Sequence, residues 1–289
     1  MIISRAQRAF ERFNLVLMAI IGLCMFLPLL HVLAQSLSNN AAINSGAVSF
    51  WPVGFTIGNY KLLVADTTIW LAFRNSLIIT VGGTLLNLAA TASLAYPLSR
   101  PEYRGRKAIL IIILITLIFH APLIPNYLIV KQLGLLNTLW VLMLPTMISA
   151  YNLFVMRSFF MNLPTELLDS ARIDGCGEFR LIWNIVLPLS KPAMATMGIM
   201  YAVGNWNTYA AAIYYIDNRK LYPLQVRLRE IIFTDNFGQS DISNELLAQL
   251  SPEGLKMAVI VLATIPILLV YPFLQKHFIK GMMVGSIKS

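Results

Sequence analysis

The chain has 289 residues, of which 57% are hydrophobic and only 12% charged, and it carries a net charge of +9. Soluble domains carry about 25% charged residues, so an ordinary cytosolic enzyme, a disordered chain and a disulfide-rich secreted module are excluded. The composition is that of an all-α, polytopic membrane protein, whose basic residues collect in cytoplasmic loops rather than on a nucleic-acid surface.

A helix needs about 20 apolar residues to cross a bilayer. Six stretches meet that length: residues 14–35, 70–98, 109–130, 136–160, 192–216 and 255–274. The first follows Arg5, Arg8 and Arg12, and Val32-Leu33-Ala34 has the small-residue look of a cleavage site. Its apolar run is too long for a signal h-region, so it reads as a retained span. Cys24 lies in that span and Cys176 in an inner loop, which makes a disulfide between them unexpected. With the N-terminus inside, the inner segments hold 14 of the 22 Lys and Arg residues, against six in the outer ones. Both termini are therefore expected on the cytoplasmic face. No internal repeat and no appended soluble domain is visible, so residues 1–289 read as one membrane domain with a long inner loop at 161–191.

That loop is patterned. Pro164, Glu166 and Asp169 suit the start of a short helix, and Asp174-Gly175 is a stop signal. A second short helix begins at Glu178, and Pro188 is expected to end it. Leu167, Leu168, Ala171 and Ile173 give the first helix an apolar side, as Phe179, Ile182, Trp183 and Val186 do the second. Such a helix–turn–helix either packs on something or lies on the membrane surface.

Polar residues within spans are costly and tend to face protein or water. Tyr201, Asn205 and Tyr209 recur at i, i+4 and i+8 in the fifth span, with Trp206, Asn207 and Tyr214 nearby. His120 and Asn126 lie in the third span and Asn152 in the fourth. Aromatic rings stack on sugar C–H faces and amides pair with hydroxyls, so the fifth-span face suits a sugar path. The alternative is that these side chains hold helices together. The outer segment 217–254 mixes Arg219, Lys220, Arg227 and Arg229 with acidic residues that include Asp235, Asp241 and Glu245.

The inner loop carries a resemblance. Asp169-Ser170-Ala171, then Asp174-Gly175, then Ile185-Val186-Leu187-Pro188, with Pro188 thirteen residues after Gly175, resembles the EAA motif of permease subunits of binding-protein-dependent ABC importers. Asp replaces Glu and Ser replaces Ala at its first two positions. The whole chain resembles the smaller permease subunit of maltose-permease-like carbohydrate importers, through residues 50–60, Phe73-Arg74-Asn75-Ser76 and the tail 278–288. Residues 123–127, 201–207 and 222–225 look most like the complex-oligosaccharide branch, which includes permeases for alginate and other uronate-containing polymers.

The resemblance implies an importer subunit that moves an oligosaccharide or polysaccharide, acidic ones in its range, across the bacterial inner membrane by alternating access. It implies three kinds of neighbour besides lipid: a second permease subunit, two ATPase subunits and an extracytoplasmic sugar-binding protein. Glu166, Asp169, Ala171, Arg172, Asp174 and Gly175 would form the contact with the ATPase. ATP and Mg²⁺ would sit on that ATPase and no cofactor on this chain, whose nearest approach to a Walker A, Gly54 to Lys61, has the wrong spacing. No metal-spaced Cys/His cluster or nucleophile elbow is present, and His31, His120 and His277 are scattered, so the chain is not expected to be an enzyme. The competing class is an ion-coupled secondary transporter, which would need pseudo-repeats and an intramembrane carboxylate. No Asp or Glu lies well inside any of the six stretches.

Overall fold

The structure, a computed structural model, describes residues 5–119, 121–234 and 251–286. Every regular element among them is helical. Contacts divide the chain into two compact units, Met1–Trp70 with Leu228–Pro266, and Leu71–Arg227 with Ile267–Ser289.

The first unit begins with α1 (Arg5–Ser36), whose apolar window has none of its residues buried. A helix apolar all round needs lipid or another helix as its solvent. At its C-terminal end the chain is pinned by buried polar side chains. The Ser36 and Tyr60 hydroxyls lie 2.7 Å apart, and Asn59 Nδ2 donates to the Ser36 carbonyl at 3.1 Å. Ser38 Oγ donates to the Ala34 carbonyl and accepts from the Val53 amide. Asn39 caps the short α2 (Asn40–Asn44) by accepting from the Ala42 amide at 2.8 Å. After α3 (Gly58–Ala65), the same unit receives the start of the C-terminal helix Pro252–Ser286. There Ser251 Oγ donates to Asn44 Oδ1, and Gly254 approaches so closely that a Cβ would lie 2.8 Å from Ile43 Cδ1.

The second unit is built on α4 (Thr67–Ser99). One of its cores gathers Tyr96, Leu153, Met156, Phe160, Leu168, Leu181 and Val186. Another gathers Ile79, Val141, Leu142, Ala212, Tyr215 and Val226. Three helices among the described residues are long and apolar enough to cross a membrane, Phe10–Ser36, Thr67–Ser99 and Pro252–Leu269, and two bent helix pairs would bring the number to five.

The expected fourth span, 136–160, is not one helix. A 3₁₀ turn, Leu139–Leu142, precedes a non-helical stretch through Pro145 and then α7 (Ala150–Met161). Proline cannot donate to the helical ladder. The 12 residues of α7 extend about 18 Å, short of a hydrocarbon core of about 30 Å. The expected third span is also divided, into α5 (Arg106–Ile118) and α6 (Leu123–Gln132), with Pro122 at the start of α6. His120, between them, lies outside the described residues, as do the acidic residues Asp235, Asp241 and Glu245. The expected fifth span breaks at Asn207.

Candidate functional site

The inner loop forms as two short helices. Pro164 caps α8 (Thr165–Ile173), with Glu166 in the first turn and Arg172 in the last. The helix closes as the Asp174 amide donates to the Ser170 carbonyl, Gly175 to Arg172 and Cys176 to Ala171, at 2.9–3.0 Å. Gly175 has φ +78°, the left-handed conformation that the Asp-Gly pair predicts. A Cβ there would meet nothing within 4 Å, so a side chain would cost only the conformational penalty of about 1 kcal/mol.

The second helix starts at Glu178 as expected, but Pro188 does not end it. α9 (Glu178–Leu181) passes into a π turn, Ile182–Val186, and resumes as α10 (Leu187–Leu189). In an α-helix the Pro188 ring would press on the carbonyl four residues back. The wider π turn relieves that clash and lets the chain run through proline. The direction changes two residues later, by 81°, where Glu178–Leu189 meets α11 (Lys191–Trp206).

The apolar residues of the loop do not share a single side. Leu168, Leu181 and Val186 are buried against Tyr96, Met156 and Phe160. Ile173, Phe179 and Trp183 point away, 87%, 92% and 74% exposed. Of the predicted coupling residues, Glu166, Asp169, Asp174 and Gly175 are exposed, whereas Ala171 and Arg172 are half-buried. Arg172 pairs with Asp169 at 3.4 Å and with Glu178 at 3.0 Å. Burial works to lower the pKa of the Arg172 guanidinium. The Glu178 hydrogen bond and charge, helped by Tyr96 and Glu102, outweigh it and raise the pKa above the ordinary arginine value. Glu178 and Tyr96 were not among the residues the sequence nominated.

The polar residues of the fifth span are brought together only in part. Tyr201 is buried, with its hydroxyl 2.7 Å from Thr91 Oγ1 and accepting from the Ser149 amide at 3.2 Å. Asn205 is buried and donates to Asn87 Oδ1 at 3.0 Å and Thr84 Oγ1 at 3.3 Å. Trp206 meets Phe73 edge-on at 6.0 Å, and its buried Nε1 has no hydrogen-bond partner among the described residues. Asn207 is exposed, and its Nδ2 returns to the Val203 carbonyl at 2.9 Å. Tyr209 does not continue the Tyr201–Asn205 face. The helix ends at Trp206, and Tyr209 precedes a new one, α12 (Ala210–Tyr215).

The partners of these residues lie on α4 and escaped the sequence reading. Asn87 Nδ2 donates to the Thr146 and Met147 carbonyls, at 2.9 and 3.0 Å. One end of α4 works the same way on another segment. Asn75 Nδ2 donates to the Lys220 and Tyr222 carbonyls, and Ser76 Oγ accepts from the Leu224 amide at 2.7 Å. Two uncharged amides inside an apolar span were the available signal. Among the described residues no group of three His, Cys, Asp or Glu side chains comes together. His31 pairs with the Ser49 carbonyl at 2.6 Å.

An all-helical membrane protein with a folded loop at 161–191 is the class these features define. The chain belongs to the binding-protein-dependent transport system inner membrane components, whose family pattern matches residues 2–284. Protein LplC of Bacillus subtilis (strain 168) is 40% identical over 99% of this chain and 97% of its own length. The polygalacturonan/rhamnogalacturonan transport system permease protein YtcP of the same organism is also 40% identical, over 98% and 99%. A crystal structure of a bacterial ABC transporter involved in the import of the acidic polysaccharide alginate contains a chain that superimposes with a TM-score of 0.89 at 32% identity, over 95% of this chain and 98% of that one. The chain is thus an ABC importer permease subunit of the inner membrane, not an enzyme. The ion-coupled alternative is not supported.

Proposed function

We propose that this chain is one permease of an importer that drives an acidic oligosaccharide or polysaccharide across the inner membrane with ATP. It pairs with a second permease in contact with lipid, above two ATPase subunits that hold the ATP and Mg²⁺. An extracytoplasmic sugar-binding protein delivers the cargo, and both termini of this chain are cytoplasmic. The whole chain serves as one membrane domain and binds no cofactor of its own. The cargo class is supported by the polygalacturonan and alginate systems among its relatives, both of which carry uronate polymers.

The observation that carries the coupling part of the reading is the outward display of Ile173, Phe179 and Trp183 on a loop whose Leu168, Leu181 and Val186 are packed into its unit. Large exposed apolar side chains beside a left-handed turn fit a groove in another protein. In this reading Glu166, Asp169, Asp174 and Gly175 line the contact, and Ala171 and Arg172 hold its shape. The substrate path runs along Tyr201, Asn205, Trp206, Asn207 and Tyr209. Because Tyr201, Asn205 and Trp206 are buried, the sugar contacts in this conformation fall to the more accessible Asn207 and Tyr209.

The test is to purify the tagged chain from its native membrane, identify what accompanies it, and assay ATP hydrolysis. The expected result is co-purification of an ATPase and a second permease. Hydrolysis should rise with binding protein loaded with oligogalacturonate or alginate oligomers and not with neutral maltooligosaccharides. A chain that purifies alone and moves sugar without ATP would sink the reading.

A further inference from the structure

The Glu178 carboxylate joins three helices. Its Oε1 accepts from Arg172 Nε in α8 at 3.0 Å. Its Oε2 accepts from the Tyr96 hydroxyl of α4, also at 3.0 Å. Glu178 itself opens α9. One side chain therefore bonds both loop helices to the long helix of the unit, across the apolar core they share. Hydrogen bonds to an ionised carboxylate are roughly twice as strong as neutral ones.

The Tyr96 end of the link is held firmly. The ring lies under the Arg100 guanidinium, 5.3 Å from its centroid, and meets Phe160 edge-on at 6.2 Å. Arg100 in turn donates to the Phe160 carbonyl at 2.9 Å. Tyr96 therefore cannot rotate away without disturbing the core. Further along α4, Thr91, Asn87 and Thr84 carry the bonds to Tyr201 and Asn205. From Tyr96 to Thr84 the helix runs about 18 Å. A single rigid element thus touches the loop at one end and the polar residues of α11 along its length.

We infer that Glu178 is a positioning residue: through Tyr96 it ties the loop to α4, so that displacement of the loop is delivered to the segment around Asn207. This rests on the reading of the loop as the ATPase contact. Coupling of this kind needs an element that both sites bias, and the physical warrant is a demonstrated response at each end. Neither Asp169 nor Gly175 supplies the link, because both are exposed and neither bonds to α4.

The test uses the assembled transporter in nanodiscs, with Cys24→Ser and Cys176→Ala as the background. Ile173→Cys reports on the loop and Asn207→Cys on the far segment, each by its rate of modification with a hydrophilic maleimide, with and without ATP and vanadate. In the background protein nucleotide should change the rate at both positions. Tyr96→Phe keeps the ring packing and removes only the hydroxyl. It should leave the response at 173 intact and make that at 207 about threefold smaller. Glu178→Gln, which keeps an acceptor for Tyr96 but loses the charge facing Arg172, should lie between the two. An undiminished response at 207 in Tyr96→Phe overturns the inference, as does a loss at both positions together, which would mark Tyr96 as merely structural. No nucleotide response at 173 in the background protein overturns the ATPase-contact reading instead.

Discussion

The inner loop and the end of α11 treat their conspicuous residues in opposite ways. On the loop, the large apolar side chains Phe179 and Trp183 face outward while the charged Arg172 is drawn half inside. At the end of α11, the polar Tyr201 and Asn205 are drawn inside and bonded, and only Asn207 is left exposed. In the proposed reading the difference separates two jobs. A surface that waits for another protein can leave carbon in water, because the partner will cover it. Burial of a polar group in a membrane domain is least costly where it is bonded within the chain, as Tyr201 and Asn205 are, until a ligand offers something better.

The sharpest way to break this contrast is at the turn of the loop. Gly175→Pro forces φ to about −65° and removes the N–H that closes α8, a change costing about 3 kcal/mol or more. It should abolish stimulated ATP hydrolysis by the assembled transporter, while Gly175→Ala, with open space for its Cβ, should cost only about 1 kcal/mol. Inside the unit, Asn205→Ala strips Asn87 Oδ1 of its donor. It should destabilise the protein by about 1–3 kcal/mol, seen as a lower Tm in detergent, and Asn207→Ala should change Tm little. Phe179→Ala should leave stability within about 0.5 kcal/mol yet weaken binding of the ATPase subunit by about 1–2 kcal/mol. Titration of labelled ATPase against nanodisc-held permease would measure that effect. Equal losses of Tm and of binding in Phe179→Ala would erase the distinction between the two regions.

Much of this was legible in the residues. Asp174-Gly175 at the end of an amphipathic stretch requires a left-handed stop, and the chain makes one. Helical spacing placed Tyr201 and Asn205 on one face, and both meet α4. The same spacing carried on to Tyr209 without registering that the helix ends at Trp206. Hydropathy failed at 136–160 because it weighs side chains and not the ladder, which Pro145 interrupts. Periodicity could not say that Leu168 turns in and Ile173 out, because a loop with apolar residues on two sides has no single apolar face. The roles of Asn75, Asn87 and Glu178 depend on partners far away in sequence, which no local pattern records.

The π turn at Ile182–Val186 also has a bearing on insertions and deletions. A π turn amounts to one extra residue wound into an α-helix, and each residue turns the chain by about 100°. The five residues Ile182–Val186 therefore absorb one residue within a single wide turn, directly ahead of Pro188. Loss of one residue there would return the stretch to α winding with little change of phase, and would bring the Pro188 ring against the carbonyl four residues back. The length of this short stretch is thus tied to the proline that follows it rather than to the phase of the helix.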